Sequence, residues 1–224
     1  FLIILTDNFI FLSKGEYLFA ENKYSTFKNK FHFIPFAIDT DFWNKPEKNL
    51  HNNDILFIGN DGQRDYAFVI ELAKNLPQYE FTFVTKQIKP KDLKSDNIKL
   101  INGSWGNVDY SDNFIHNLYI SSFASIIPLK NSLQPSGQSV ALQSMASGTP
   151  VLITETNGFW EPDIFLDRKN IILLKENNIE EWINKLNFLY NDENIAKNIS
   201  NLARDTVTVN NNLEKFNDKL IKLL

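Results

Sequence analysis

Short continuous apolar runs, each followed by residues at helical spacing, recur along most of this chain and leave few architectures open. Ile55, Leu56, Phe57 and Ile58 form the first, and residues 81–84, 98–101, 124–129, 151–154 and 171–174 continue the series. Runs of this length without polar alternation belong to strands buried on both faces. Between them, Phe68, Val69, Leu72 and Ala73 repeat with the period of a helix face, and residues 116–122 read as a short helix. The repeated β-α-β pattern predicts an α/β fold, a parallel sheet with helices on both faces. In such sheets ligands bind beyond the carboxyl ends of the strands. Three helices are expected to close the chain. The first opens with a capping box, Asn178-x-x-Glu181, ahead of Trp182, Ile183, Leu186 and Leu189. Ile195, Ile199 and Leu202 set the period of the second, and Leu213, Phe216, Leu220 and Leu223 that of the third.

Residues 1–36 read as a unit too small for a domain, with apolar stretches at 9–12 and 31–36 around a helix over 14–24. Residues 39–53 are polar, include Asn44, Pro46, Asn52 and Asn53, and fit an exposed linker. The main domain is expected to start at Asp54. The opening run, Phe1 to Thr6, lacks a basic flank and is too short to cross a bilayer. It is expected inside a sheet or against a helix, and with no initial Met it suggests a segment of a longer protein.

At 224 residues, 43% of them hydrophobic, the chain can bury one substantial core. A net charge of −4 argues against a nucleic-acid surface. The absence of cysteine excludes disulfides and thiolate metal sites and fits a reducing cytoplasm. No cluster of His and carboxylates shows metal-ligand spacing, so neither a metal nor a cofactor is expected.

Two glycine-bearing loops, residues 59–64 and 134–138, follow strands and precede helices, so they are expected to open on one edge. At the second, Gly137 stands where a small-residue helix begins. The free backbone N–H groups of Gly137, Gln138 and Ser139 would there meet an anion that also feels the helix dipole, and the matching ligand is a phosphate. The plainer alternative makes Ser136 an N-cap and Ala141, Leu142, Met145 and Ala146 an ordinary buried face. The first loop, Gly59-Asn60-Asp61-Gly62-Gln63-Arg64-Asp65, has neither the dinucleotide Gly spacing nor the Lys-Ser/Thr of a P-loop. Arg64 is the best cation to clamp a diphosphate, the alternative being a solvated helix-start residue paired with a carboxylate.

Residues 34–42, Ile-Pro-Phe-Ala-Ile-Asp-Thr-Asp-Phe, resemble the Pro-x-Gly-Val-Asp-x-x-x-Phe hinge between the two Rossmann-like domains of GT-B glycosyltransferases. Residues 55–65 resemble the strand and loop that open the donor-binding domain of that family, and 137–151, ending Met-Ala-Ser-Gly-Thr-Pro-Val, its phosphate-binding helix. The likeness is closest to the retaining, nucleotide-sugar-dependent group and covers nearly everything after residue 9. It implies that 1–36 is a remnant of the N-terminal acceptor domain and 37–53 the linker. Residues 54–209 would then be the donor-binding domain, and 210–224 a C-terminal helix packing back toward the N-terminal one. Implied with it are Gly59, Asn60, Arg64, Ser136, Gly137, Gln138 and Ser139 around the donor diphosphate, with Arg64 as the catalytic cation.

The resemblance further implies Gln143 on the ribose and Trp105, Asn157 and Gly158 near base or sugar. Its glutamate positions are occupied here by Pro135 and Gln143, and its frequent Arg and Lys positions by Asn60 and Asp65. His32, His51 and His116 match no motif and are expected in loops or packing. The implied partners are a nucleotide sugar and, through the absent N-terminal domain, a glycan or lipid-linked acceptor. The implied place is the cytoplasm, with peripheral attachment at the inner face of the membrane left open. A non-catalytic nucleotide-sugar binding module and a sugar-nucleotide epimerase of similar architecture remain the alternatives.

Overall fold

The computed structural model describes residues 2–44, 54–103 and 110–223. Its first unit contains a one-turn helix α1 (Leu2–Leu5), strand β1 (Phe9–Phe11), helix α2 (Lys14–Lys23) and strand β2 (Phe31–Phe33). Strands β1 and β2 pair in parallel, Phe9 opposite Phe31, with α2 as the crossover between them. A short helix α3 (Thr40–Trp43) follows. The sheet domain then runs β3 (Asp54–Ile58), α4 (Tyr66–Lys74), β4 (Glu80–Val84), β5 (Ile98–Ile101), α5 (Asp112–Ser121), β6 (Ala124–Ile127), α6 (Gln138–Ala146), β7 (Val151–Thr154) and β8 (Ile172–Leu174). Helices α7 (Ile179–Tyr190), α8 (Glu193–Asn210) and α9 (Leu213–Ile221) end the chain.

The six strands β3 to β8 form one parallel sheet in the order β5-β4-β3-β6-β7-β8. This is the doubly wound Rossmann order, built outward in both directions from a central pair. Alternate side chains feed two cores. Ile55, Phe57, Phe81, Phe83, Ile126 and Leu152 face α4 and α7, where Phe68, Leu72, Trp182 and Leu186 meet them. Leu56, Ile58, Val84, Ile127, Val151 and Ile153 face α5 and α6, with Tyr119, Leu142 and Met145. Helix starts are fixed by short polar side chains: Asp65 accepts from Phe68 N, Ser111 from Phe114 N and Asn178 from Glu181 N.

Four expectations need correction. The opening run does not enter a sheet: Ile4 and Leu5 are 66% and 72% exposed, and the turn is held by Lys30 Nζ donating to the carbonyls of Ile3, Ile4 and Thr6. The supposed exposed linker begins with a buried piece. Asp39 caps α3, and Trp43 packs on the rings of His116 and Tyr119 while its carbonyl accepts from Ser147 Oγ at 3.1 Å. Residues 45–53, His51 among them, lie outside the described residues. The helix expected over 116–122 starts earlier, at Asp112, because Ser111 caps it. Strand β6 stops at Ile127, since Pro128 has no N–H for the ladder.

The first unit is tied to the sheet domain by Lys14 N donating to Trp160 O and Ser13 Oγ to Gly158 O, at 2.7 and 3.1 Å. At the far side Asn211, wholly buried, donates from Nδ2 to Phe36 O at 2.9 Å and to Glu161 Oε2 at 2.7 Å. Ile38 N donates back to Asn211 O at 2.9 Å. The bend between α8 and α9 is thereby fastened to the chain segment entering the sheet domain.

Candidate functional site

The central strands β3 and β6 lie side by side while their outward connections run in opposite directions, so a crevice opens between the loops that leave them. The loop after β3 carries Gly59 to Asp65, and the loop after β6 leads to α6. Asp65 N donates to Pro128 O at 3.0 Å and Lys130 N to Gln63 O at 2.8 Å, so the two loops are stitched together. Between them lies a cleft of about 370 Å³, lined by Leu12, Phe36, the 61–64 segment and the 134–139 segment.

Arg64 is the cation of this cleft. It is only 2% exposed, and its Nε donates to Ile58 O at 3.4 Å and its Nη1 to Ser136 Oγ at 2.8 Å. Nη1 also lies 2.9 Å from Asp61 Oδ2. The remaining nitrogen, Nη2, has no hydrogen-bond partner among the described residues. Burial pulls the guanidinium below its ordinary pKa, and the nearby Asp61 opposes that fall. The alternative of a solvated arginine is therefore excluded, although the carboxylate partner is real.

Two glycines make room for it. A Cβ on Gly59 would stand 2.5 Å from Arg64 Nε, so the arginine stem occupies the space that a side chain at 59 would fill. Gly137 has φ 79°, and a Cβ there would meet Ile127 Cγ2 at 2.8 Å and Arg64 Nη1 at 3.5 Å. Gly137 itself is the N-cap of α6 and no side chain caps the helix, so Ser136 is not the cap. The first-turn N–H groups of α6 have no intrahelical acceptors and lie at the cleft. The Gln138 side chain turns elsewhere, its Nε2 donating to Leu12 O at 2.7 Å.

Other expected residues lie apart from this group. Asn60 joins the ends of β4 and β5, donating to Gly103 O at 3.1 Å and accepting from Lys86 N at 2.6 Å. Gln143, 4% exposed, accepts from Tyr119 Oη at 3.3 Å within the core. Gly158 N donates to Ser132 O at 2.8 Å, and Gly15 packs directly on the carbonyl of Asn157. Trp105 lies outside the described residues. His116 packs against Phe42 and Trp43, and His32 lies in β2 with Nε2 2.8 Å from Asn8 Oδ1.

Sequence reasoning gave Asp61 no role. Its Oδ1 accepts from Gln63 N at 2.8 Å and Arg64 N at 3.2 Å, and its Oδ2 accepts from Ser136 Oγ at 3.0 Å. The available signal was Asp61-Gly62, a turn pair whose carboxylate binds backbone two residues on. Tyr66 Oη donates to Asp61 O at 2.7 Å, and burial with the neighbouring carboxylate pushes its hydroxyl up to about 12. Among the described residues no group of three or more His, Cys, Asp or Glu could hold a metal ion.

The sequence model for Glycosyl transferases group 1 matches residues 41–206. The chain belongs to this family. Curated proteins give no significant match to the group 1 chain. Solved structures do. A glycosyltransferase from Rickettsia africae ESF-5 superposes with a TM-score of 0.77 at 16% identity, over 97% of this chain and 62% of that one. A mutant of S. aureus TarM in complex with Fondaparinux, alpha-GlcNAc-glycerol and UDP gives 0.78 at 16% identity, over 99% and 44%. Anabaena Alr3699/HepE in complex with UDP-glucose gives 0.75 at 12% identity, over 97% and 63%. The group 1 chain thus spans less than two thirds of each of these proteins. At such identities the likeness establishes the fold, the Rossmann-like parallel sheet of GT-B glycosyltransferases.

Proposed function

We propose that the chain is the donor-binding portion of a glycosyltransferase that moves a sugar from a nucleoside diphosphate sugar to a saccharide or lipid-linked acceptor with retention. The observation that carries this reading is a buried guanidinium, Arg64, held at the switch point of the sheet beside the uncapped start of α6. As the bond from the sugar's anomeric carbon to the diphosphate breaks, negative charge grows on the leaving oxygens. Donors already fixed in place stabilise that charge without reorganising. Arg64 Nη2 and the N–H groups of Gly137, Gln138 and Ser139 are such donors. Gln143 would serve the ribose once its bond to Tyr119 is exchanged, with Asn157 and Gly158 nearer the sugar.

Acceptor choice would rest with residues beyond this chain, in a cytoplasmic enzyme of polysaccharide synthesis attached peripherally to the inner face of the membrane. No resident cofactor takes part in this reading. Titration calorimetry with UDP, GDP and ADP, with and without their common sugars, tests it. The UDP complexes of TarM and Alr3699/HepE support trying UDP first. Saturable binding that Arg64→Ala weakens is the expected result, and no binding of any nucleotide would end the proposal.

A second reading, binding without transfer, is favoured by Pro135 and the core-facing Gln143, which leave no carboxylate from the α6 side in the cleft. Sugar transfer by a protein containing both domains separates the two. Epimerised donor formed without an acceptor would point to the epimerase.

A further inference from the structure

Among the described residues, Arg64 and Asp61 are the charged side chains lining the cleft, and their charges cancel. A guanidinium that is 2% exposed is costly to hold unpaired, so an empty anion site around it needs an anion of its own. Asp61 supplies one. Its Oδ2 lies 2.9 Å from Arg64 Nη1 and accepts from Ser136 Oγ at 3.0 Å, two groups that an incoming phosphate oxygen would also seek. Its side chain is 44% exposed, so it can rotate from these donors into water. Its other oxygen, Oδ1, is anchored by Gln63 N and Arg64 N, which keeps the carboxylate at the mouth of the cleft.

We propose that Asp61 is an internal counter-ion standing in the phosphate position, which a diphosphate must displace from Arg64 and Ser136 in order to bind. This rests on the reading of the cleft as a diphosphate site. The exchange is one anion for another: no proton moves and no covalent bond changes. Affinity for the donor is therefore set lower than the cradle alone would give, while the empty cradle stays stable.

Asp61→Asn tests the exchange. An amide oxygen at 61 still accepts from Gln63 N and Arg64 N, but the group brings no charge to Nη1 or Ser136. Calorimetry with inorganic pyrophosphate and UDP is expected to show binding at least about ten-fold tighter than in the unchanged chain. Thermal unfolding should begin lower without ligand and rise further on adding UDP, because ligand then supplies the missing anion. A merely structural Asp61 would give the opposite sign, and equal or weaker binding by the variant overturns the proposal while leaving the diphosphate site standing. Should neither protein bind pyrophosphate or any of UDP, GDP and ADP, both readings fall. If the variant does not fold, the structure of the unchanged chain with pyrophosphate decides: Asp61 withdrawn from Arg64 supports the exchange, and Asp61 still paired with Nη1 refutes it.

Discussion

Arg64 Nη1 rests 2.8 Å from Ser136 Oγ, so the loop that leaves one central strand grips the loop that leaves its neighbour. Each loop would be a surface turn by itself. Joined, they convert a buried positive charge and a helix start into a single concave surface.

Replacing Arg64 by Ala should weaken nucleoside diphosphate binding by about 1.5–3 kcal/mol, the range of hydrogen bonds to charged groups. Arg64→Lys should recover only part of this. An ammonium cannot serve Ile58 O, Ser136 Oγ and a phosphate with one planar fork. Full recovery in calorimetry would show that charge alone, without shape, accounts for the site.

Gly59→Ala and Gly137→Ala should fail differently. Gly59 is not among the positive-φ residues, so its added methyl disturbs chiefly the Arg64 stem, and nucleotide affinity should fall about ten-fold with little change in denaturation midpoint. Gly137 needs φ 79° and borders Ile127, so alanine there should cost about 1–3 kcal/mol of stability. Urea denaturation beside calorimetry separates the two. Equal stability losses would contradict this division.

Burial raises the Glu161 carboxyl above the usual carboxylate range, and Asp163 adds to the rise, while the Asn211 bond and Lys219 oppose it. A raised native pKa means that the folded chain holds its proton longer than the unfolded chain does. Stability from this group should therefore fall as pH climbs from the ordinary carboxylate value through the raised one. Glu161→Gln keeps an oxygen to accept from Asn211 and should flatten this part of the stability profile. Midpoints of urea denaturation across mildly acid to neutral pH would show whether the slope persists.

Asn177 donates to Asp65 Oδ2 at 3.0 Å and to Leu129 O at 3.1 Å, and accepts from Thr154 Oγ1 at 2.6 Å. It fastens the start of α4 to the ends of β6 and β7. Asn177→Ala should destabilise the domain by about 1–3 kcal/mol through the polar groups left unpaired. A change below about 0.5 kcal/mol in chemical denaturation would show that water replaces these bonds.

The sheet was legible because its strands are buried on both faces, a condition that writes itself as unbroken apolar runs such as Ile55 to Ile58. The cleft was legible as far as Arg64 and Gly137, whose types suit anion binding wherever they stand. Asn60 and Gln143 were placed by likeness to a motif, and each is claimed by a local partner, Lys86 N and Tyr119 Oη, that no spacing rule reveals. Asp61 was invisible for a related reason. Its turn bonds to Gln63 N and Arg64 N were readable nearby, but its place in the cleft is set by Ser136, far along the chain. The start of the 39–53 segment, expected as exposed linker, is buried because Trp43 packs on a ring that the local sequence does not reveal, Tyr119.

The grip between Arg64 and Ser136 closes a loop of 72 residues. Contacts that span so much chain close at a high entropy cost and form after the local helices. Recognition of an anion is thus a property acquired near the end of folding, when β3 and β6 have found each other. A nucleotide should accordingly slow the chain's unfolding while leaving its rate of folding almost unchanged.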